Sequence, residues 1–133
     1  MPISSVFTKA ITISNSAIDE NGHVNNVAYI QWMQDIAVEH YTSIGGIEAQ
    51  GIDSTWVVRE HKVEYLHPAF EGDVIEARTW VENIRRVRSL RKYVFVRKSD
   101  GKLLVRGETD WVFVDAKTGS PRAVPDQVTK VFN

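Results

Sequence analysis

The sequence contains no cysteine, which excludes disulfides, a thiolate nucleophile and sulfur ligands for a metal. It has no apolar run near the roughly 20 residues that a membrane-spanning helix requires, and its first residues lack the basic and apolar regions of a signal peptide. A net charge of −1 gives no general attraction to nucleic acid or to an anionic membrane. We therefore expect a cytoplasmic protein that has neither a membrane nor a nucleic acid as its partner.

The length and composition are those of one globular domain. The chain has 133 residues, of which 43% are hydrophobic and 25% are charged. We find no internal repeat, linker or low-complexity segment. Residues 1–133 are therefore predicted to form a single domain.

One predicted helix is surrounded by predicted strands. From Val27 to Ile44 apolar residues recur every three to four positions, which is helical spacing with a broad apolar face. Either Asn25 or Asn26 is a suitable N-cap, and Gly45 follows the helix as a stop signal. Alternation and turn residues predict strands over 7–13, 56–66, 74–81, 87–98 and 103–115. A short terminal helix is predicted over 125–132.

This order of elements predicts an α+β fold in which a curved antiparallel β-sheet wraps around one long central helix. A single sheet covers only one side of such a helix and leaves sheet edges unpaired. We therefore expect at least a homodimer, with sheets that pair continuously across the subunits.

The stretch just before the helix carries the densest group of acid–base side chains in the chain. Two carboxylates, one imidazole and three carboxamides lie within the eight residues from Asp19 to Asn26. Such groups at the mouth of a buried helix are typical of an active site, so we interpret this stretch as a catalytic loop. The alternative is that Asp19 is only a turn residue, because Asp-x-Asn-Gly is favourable turn chemistry.

The same stretch carries a family motif, made of Asp19, Gly22, His23, Val24, Asn25, Asn26 and Tyr29. This motif resembles the signature loop of the hotdog-fold thioesterases of the 4-hydroxybenzoyl-CoA thioesterase type. Residues 63–68, 72–73 and 115–119 also resemble that family and follow in the same order. The resemblance implies a hotdog fold, a homodimer or homotetramer with active sites between subunits, and hydrolysis of acyl thioesters without a cofactor other than the CoA of the substrate.

The resemblance also implies roles for individual residues. In the family, the aspartate that matches Asp19 acts as nucleophile or general base, and the backbone N–H that matches Asn26 polarises the thioester carbonyl. Both roles are physically sound, because a helix start offers unpaired N–H groups and a partial positive charge to a developing oxyanion. Many relatives carry an acidic residue two positions before the aspartate, where this chain has Ala17.

A second resemblance, to the loop of plant acyl-ACP thioesterases, widens the catalytic set. Those enzymes share residues that match Asp19, Asn21 and His23, and they use a glutamate on a later strand in a setting like that of Glu64. His23 is equally compatible with a loop histidine that bonds to the backbone. Glu39, on the polar stripe of the predicted helix, is a reserve candidate for the carboxylate.

Seven residues are predicted to bind substrate: Gly22, Asn25, Asn26, Tyr29, Trp56, Arg86 and Arg88. We place Trp56 near an acyl pocket, and the two arginines belong to a basic cluster suited to the phosphates of CoA. A solvated strand face or a subunit contact explains that cluster equally well. No two of the four histidines form a His-x-x-x-His pair, so we expect no metal site.

The function implied by these features is hydrolysis of an acyl-CoA thioester to free acid and CoA. Two alternatives stay open. One is an acyl-ACP thioesterase, since the near-neutral composition does not choose between the two carriers. The other is a hotdog module that binds acyl-CoA without hydrolysing it.

Overall fold

One long helix and five strands dominate the computed structural model, which describes residues 2–133. The long helix α1 spans Asn26–Ser43, and two five-residue helices, α2 and α3, span Gly46–Gln50 and Asp126–Lys130. The strands are β1 (Phe7–Thr12), β2 (Ser54–Tyr65), β3 (Val74–Arg85), β4 (Arg88–Arg97) and β5 (Leu103–Asp115). None of the helices in residues 2–133 is long and apolar enough to cross a membrane.

The strands form one antiparallel sheet in the order β1-β3-β4-β5-β2. The register shifts between Val58 and Glu60 on β2 and between Val81 and Asn83 on β3. Such bulges bend a strand and increase its twist, so they help the sheet to curve around α1. The predicted α+β layout is confirmed.

The core lies between α1 and the concave face of the sheet. Tyr29, Met33 and Ile36 on α1 are buried among side chains of β3, β4 and β5. Gly107 on β5 permits the close approach, because a Cβ at that position would lie 3.0 Å from the Met33 Sδ atom. Burial of this apolar stripe is the main stabilising term of the fold.

Both ends of α1 follow from the sequence. The side chain of Asn25 accepts a hydrogen bond of 2.8 Å from the Val27 N–H, so Asn25 is the N-cap. The helix ends at Ser43, before Gly45 with φ of 87°. Gly46 then lies directly against the Tyr41 ring, and the short helix α2, which the sequence did not predict, begins there.

Apolar side chains remain exposed on α1 and β2. Val27 and Val38 on α1 are 71% and 55% exposed, and Val57 on β2 is 43% exposed. β2 is an edge strand of 12 residues whose outer edge has no partner strand within residues 2–133. A long unpaired edge beside apolar side chains is suited to pairing with another chain.

Candidate active site

The loop before α1 is a tight antiparallel turn. Ile18 and Val24 form an isolated β-bridge, and inside it the Asp19 N–H donates to the His23 carbonyl at 3.0 Å. The Gly22 N–H donates to the Asp19 carbonyl, also at 3.0 Å. Gly22 has φ of 82°, in the left-handed region that favours glycine. The backbone therefore holds Asp19 and His23 next to each other.

Two further hydrogen bonds fix this loop to the rest of the chain. The Asn25 N–H donates to the Ala17 carbonyl at 2.8 Å, and the Val24 N–H donates to the Ala69 carbonyl at 2.9 Å. The Val24 side chain is buried in the core. The loop thus has a fixed position relative to the start of α1.

The first turn of α1 presents a backbone donor to this loop. The side chain of Asn25 accepts a hydrogen bond from the Val27 N–H, and the carbonyl of Asn25 accepts one from the Ala28 N–H. The N–H of Asn26 has no hydrogen-bond partner among residues 2–133. A helix start carries a partial positive charge, so this N–H is suited to bind an oxygen on which negative charge develops.

The carboxylate of Asp19 lies half-buried in the same loop. Its Oδ1 accepts a hydrogen bond of 2.9 Å from the Asn21 N–H, and its Oδ2 has no partner within the described chain. The bond from the Asn21 N–H is the contact expected if Asp19 is only a turn residue. The second oxygen is nevertheless available to a water molecule or to a carbonyl carbon.

The structure brings together six of the predicted site residues: Asp19, Asn21, Gly22, His23, Asn25 and Asn26. Tyr29 lies behind them instead of beside the loop. It is only 2% exposed, and burial together with Asp73 raises its pKa to about 12. Its ring contacts the ring of Tyr65, and the hydroxyl of Tyr65 donates to the Asn26 carbonyl at 3.1 Å. Tyr29 thus supports the helix start from within the core.

Glu64 does not join Asp19 within one chain. Its neighbours Val63 and Tyr65 face the core and α1, so strand alternation turns Glu64 to the other face of the sheet. There it accepts a hydrogen bond of 2.6 Å from Arg106 Nε, and this bond holds the pKa of Glu64 below its ordinary value. The reserve candidate Glu39 is exposed and forms a 2.9 Å ion pair with Lys9.

A cavity of about 140 Å³ lies toward the other end of α1, between α1, α2, β2, β4 and β5. Trp56 lines it and packs edge-on against Phe113, with ring centroids 4.9 Å apart. From Asn26 to Ala37, which lines the near side of the cavity, α1 rises about 16 Å. The loop and the cavity of one chain are therefore separate.

The hairpin that carries Arg86 and Arg88 lies at the cavity end of the sheet. Arg88 opposes Val112 on β5, and Val112 opposes Val57 near the start of β2. Arg88 is paired with Asp110, whereas Arg86 is exposed at the turn with φ of 54°. Neither arginine reaches the Asp19 loop of its own chain.

One charged residue of the cavity belongs to the basic cluster at 85–92 but was not among the residues predicted to bind substrate. Arg91 is 4% exposed, and its Nη1 donates to His40 Nδ1 at 2.9 Å and to Thr79 Oγ1 at 3.1 Å. Alternation along β4 places Arg91 on the same face as Tyr93 and Phe95, which are both buried. This alternation was the feature of the sequence that could have indicated the burial of Arg91.

Comparison with known proteins identifies the family. Residues 14–132 match the model described as the thioesterase-like superfamily. The chain belongs to this superfamily, and its curved sheet around one long helix is the hotdog fold of thioesterases. The resemblance seen in the sequence is confirmed.

Two plant proteins are similar in sequence. Palmitoyl-acyl carrier protein thioesterase of Cuphea hookeriana is 24% identical over an alignment of 132 positions, gaps included, which covers 92% of this chain and 32% of the relative. Oleoyl-acyl carrier protein thioesterase 1 of Arabidopsis thaliana is 26% identical over an alignment of 106 positions, gaps included, which covers 72% of this chain and 29% of the relative. The chain thus spans about a third of the length of these relatives.

Two solved structures share the fold. A 1,4-dihydroxy-2-naphthoyl-CoA thioesterase from Synechocystis gives a TM-score of 0.84 at 17% identity and covers 96% of both chains. A hypothetical protein from Staphylococcus aureus in complex with CoA gives a TM-score of 0.87 at 21% identity, over 96% of this chain and 82% of that one.

Proposed function

We propose that this protein hydrolyses acyl-CoA thioesters to the free acid and CoA. The observation that carries the proposal is the Asn26 N–H, which has no partner in residues 2–133 and lies at a helix start beside the Asp19 loop. Membership of the thioesterase-like superfamily supports it. So does the fold shared with a CoA thioesterase and with a protein that binds CoA.

In the proposed reaction the thioester carbonyl oxygen accepts a hydrogen bond from the Asn26 N–H. Asp19 then acts in one of two ways. As a general base it takes a proton from water while the water oxygen attacks the carbonyl carbon, and the proton passes to the CoA sulfur as the C–S bond breaks. As a nucleophile it forms an acyl anhydride with loss of CoA thiolate, and water then cleaves the anhydride. Neither route needs a metal or a further cofactor.

The proposed enzyme acts as a homodimer through β2. When the β2 strands of two copies pair antiparallel about their midpoints, Trp56 of one copy lies near Tyr65 of the other. Tyr65 contacts the start of α1, and Trp56 lines the cavity. The cavity of each copy then lies next to the Asp19 loop of the other copy. The hairpin of Arg86 and Arg88 lies at the cavity end of the sheet, where the two arginines can bind the phosphates of CoA. The resemblance extends this proposal to a homotetramer.

A second candidate substrate is acyl-ACP. The two plant relatives are named as acyl carrier protein thioesterases, and they share sequence with most of this chain. Turnover of the same acyl group on the two carriers distinguishes these proposals.

The first experiment is thiol release from a panel of acyl-CoAs by the wild type and by Asp19→Asn. The asparagine keeps an oxygen for the Asn21 N–H, so the loop stays folded while the carboxylate is lost. We expect activity to fall by roughly 100-fold or more. Glu20→Gln, which alters an exposed carboxylate of the same loop, is the matched control and should keep full activity.

Activity retained in Asp19→Asn would show that the carboxylate lies elsewhere, with Glu64 and Glu39 as the next candidates. A wild type that binds acyl-CoA but releases no thiol from any member of the panel would instead support the non-catalytic binding module.

A further inference from the structure

A guanidinium group lies buried beside the cavity without a carboxylate partner. Both hydrogen bonds of Arg91 come from Nη1, and they go to His40 and Thr79. Within residues 2–133 no aspartate or glutamate forms an ion pair with Arg91. Its Nε and Nη2 have no hydrogen-bond partner in that part of the chain.

The two partners of Arg91 are uncharged. Burial, with a smaller contribution from Arg91, lowers the pKa of His40 to about 4, so the imidazole is neutral at physiological pH. The Thr79 hydroxyl accepts from Arg91 and donates its own proton to the Lys92 carbonyl at 2.9 Å. Burial lowers the pKa of Arg91 only to about 10, so its positive charge persists.

A buried charge without a counter-ion is unfavourable, and buried arginines in proteins are usually paired. The remaining N–H donors of Arg91 are a suitable fork for a carboxylate, which a guanidinium binds through two parallel hydrogen bonds. Charge complementarity therefore favours an anionic group in this cavity.

The rest of the cavity wall is mainly apolar and aromatic. Tyr41, Trp56, Trp111 and Phe132 line it together with Arg91. A volume of about 140 Å³ is close to that of apolar cavities that hold a benzene molecule. The cavity thus has space for a short aliphatic chain or one aromatic ring, with a cation at its wall.

We propose that the acyl group of the substrate carries a carboxylate at its far end, and that Arg91 binds this carboxylate in the cavity. The substrate class is then the CoA monothioester of a short dicarboxylic acid, aliphatic or aromatic. This inference rests on the proposed function, because it places the thioester carbonyl at the Asn26 N–H of the neighbouring copy and the acyl tail in the cavity.

The test compares substrates of equal length with and without the terminal carboxylate. We expect the wild type to have a higher kcat/KM for adipoyl-CoA than for hexanoyl-CoA. Arg91→Met, which keeps the length of the side chain and removes its charge, should lose roughly 30-fold or more on adipoyl-CoA while keeping hexanoyl-CoA turnover. Lys92→Met is the matched control on the same strand, because alternation along β4 turns Lys92 to the face of the sheet opposite Arg91.

Binding measurements make the test independent of catalysis. Calorimetry with non-hydrolysable thioether analogues of the two substrates should show tighter binding of the analogue that carries the carboxylate, and this preference should vanish in Arg91→Met. If Arg91→Met does not fold, the inference is decided by whether the wild type alone binds the carboxylate analogue more tightly.

The outcomes separate the inference from the proposed function. Hydrolysis of hexanoyl-CoA with no preference for adipoyl-CoA overturns the inference and leaves the thioesterase standing. No hydrolysis of any thioester, together with preferential binding of the carboxylate analogue, overturns the proposed function and supports the assignment of Arg91. Equal losses on both substrates in Arg91→Met, with dissociation of the oligomer, would show that Arg91 has a structural role only.

Discussion

The hydroxyl of Tyr65, the last residue of β2, donates a 3.1 Å hydrogen bond to the carbonyl of Asn26, the first residue of α1. This bond joins the edge strand to the residue whose N–H is the candidate oxyanion donor. The sheet edge and the helix start are therefore held as one unit, and a change at the edge is transmitted to the site.

Tyr65→Phe should weaken this connection without disturbing the aromatic packing of the ring. We expect the free energy of unfolding to fall by about 1 kcal/mol and kcat to fall by roughly 3- to 10-fold. Urea denaturation and thiol release measure the two effects. Tyr29→Phe is the control, because its buried hydroxyl has no hydrogen-bond partner in residues 2–133 and its removal should cost no stability. Equal losses in both variants would contradict the role of the Tyr65 hydroxyl.

Asn25→Ala should destabilise the start of α1, since the Val27 N–H then loses its acceptor. The expected loss in the free energy of unfolding is about 1 kcal/mol, read from urea denaturation. Asn25→Asp keeps an oxygen at the same position and should restore the stability. If the aspartate variant is no more stable than the alanine variant, capping is not the role of Asn25.

Gly22→Ala should strain the loop, because alanine is disfavoured at φ of 82° although no atom lies within 4 Å of the new Cβ. Gly119→Ala is a matched control with φ of 75° and equally open surroundings. We expect each variant to lose about 1 kcal/mol of stability. Only Gly22→Ala should also lose thioesterase activity, because only this loop positions Asp19. Unchanged activity in Gly22→Ala would separate the loop conformation from catalysis.

His40 should make the fold sensitive to acid. Its folded-state pKa of about 4 lies below the ordinary histidine value of 6.5, so the unfolded chain binds more protons between these pH values. Stability should therefore be full above about pH 6.5 and fall as the pH decreases toward 4, by on the order of 3 kcal/mol. The midpoint of urea unfolding at several pH values measures this slope. His40→Gln, whose amide oxygen accepts from Arg91, should flatten it; an unchanged slope would assign the acid sensitivity to other groups.

Local signals in the sequence were enough to predict much of the fold. Asn25 and Gly45 mark the ends of α1, and β5 was predicted from Leu103 to Asp115 as observed. The loop around Asp19 was also predicted, because its turn is closed by neighbouring residues. Each of these features depends on side chains and dihedral angles that lie close together in the chain.

The features that the sequence did not predict depend on distant contacts. Helix α2 begins where Gly46 packs under the Tyr41 ring, so its position requires tertiary packing. The side of the sheet on which Glu64 lies depends on the register of β2 relative to β5, where a bulge shifts the pairing. Alternation along β4 could have indicated the face on which Arg91 lies, but the lack of a counter-ion is visible only when the surrounding strands are assembled.

The loop and the cavity lie at opposite ends of α1, which has a consequence for mixed oligomers. In the proposed dimer, Asp19→Asn disables the loop of a copy and Arg91→Met disables its cavity. A mixed dimer of the two variants has one composite site that carries both lesions and one that carries neither. Two preparations that are each inactive on a dicarboxylic thioester should therefore complement each other after subunit exchange, and recover up to roughly half the activity per mixed dimer.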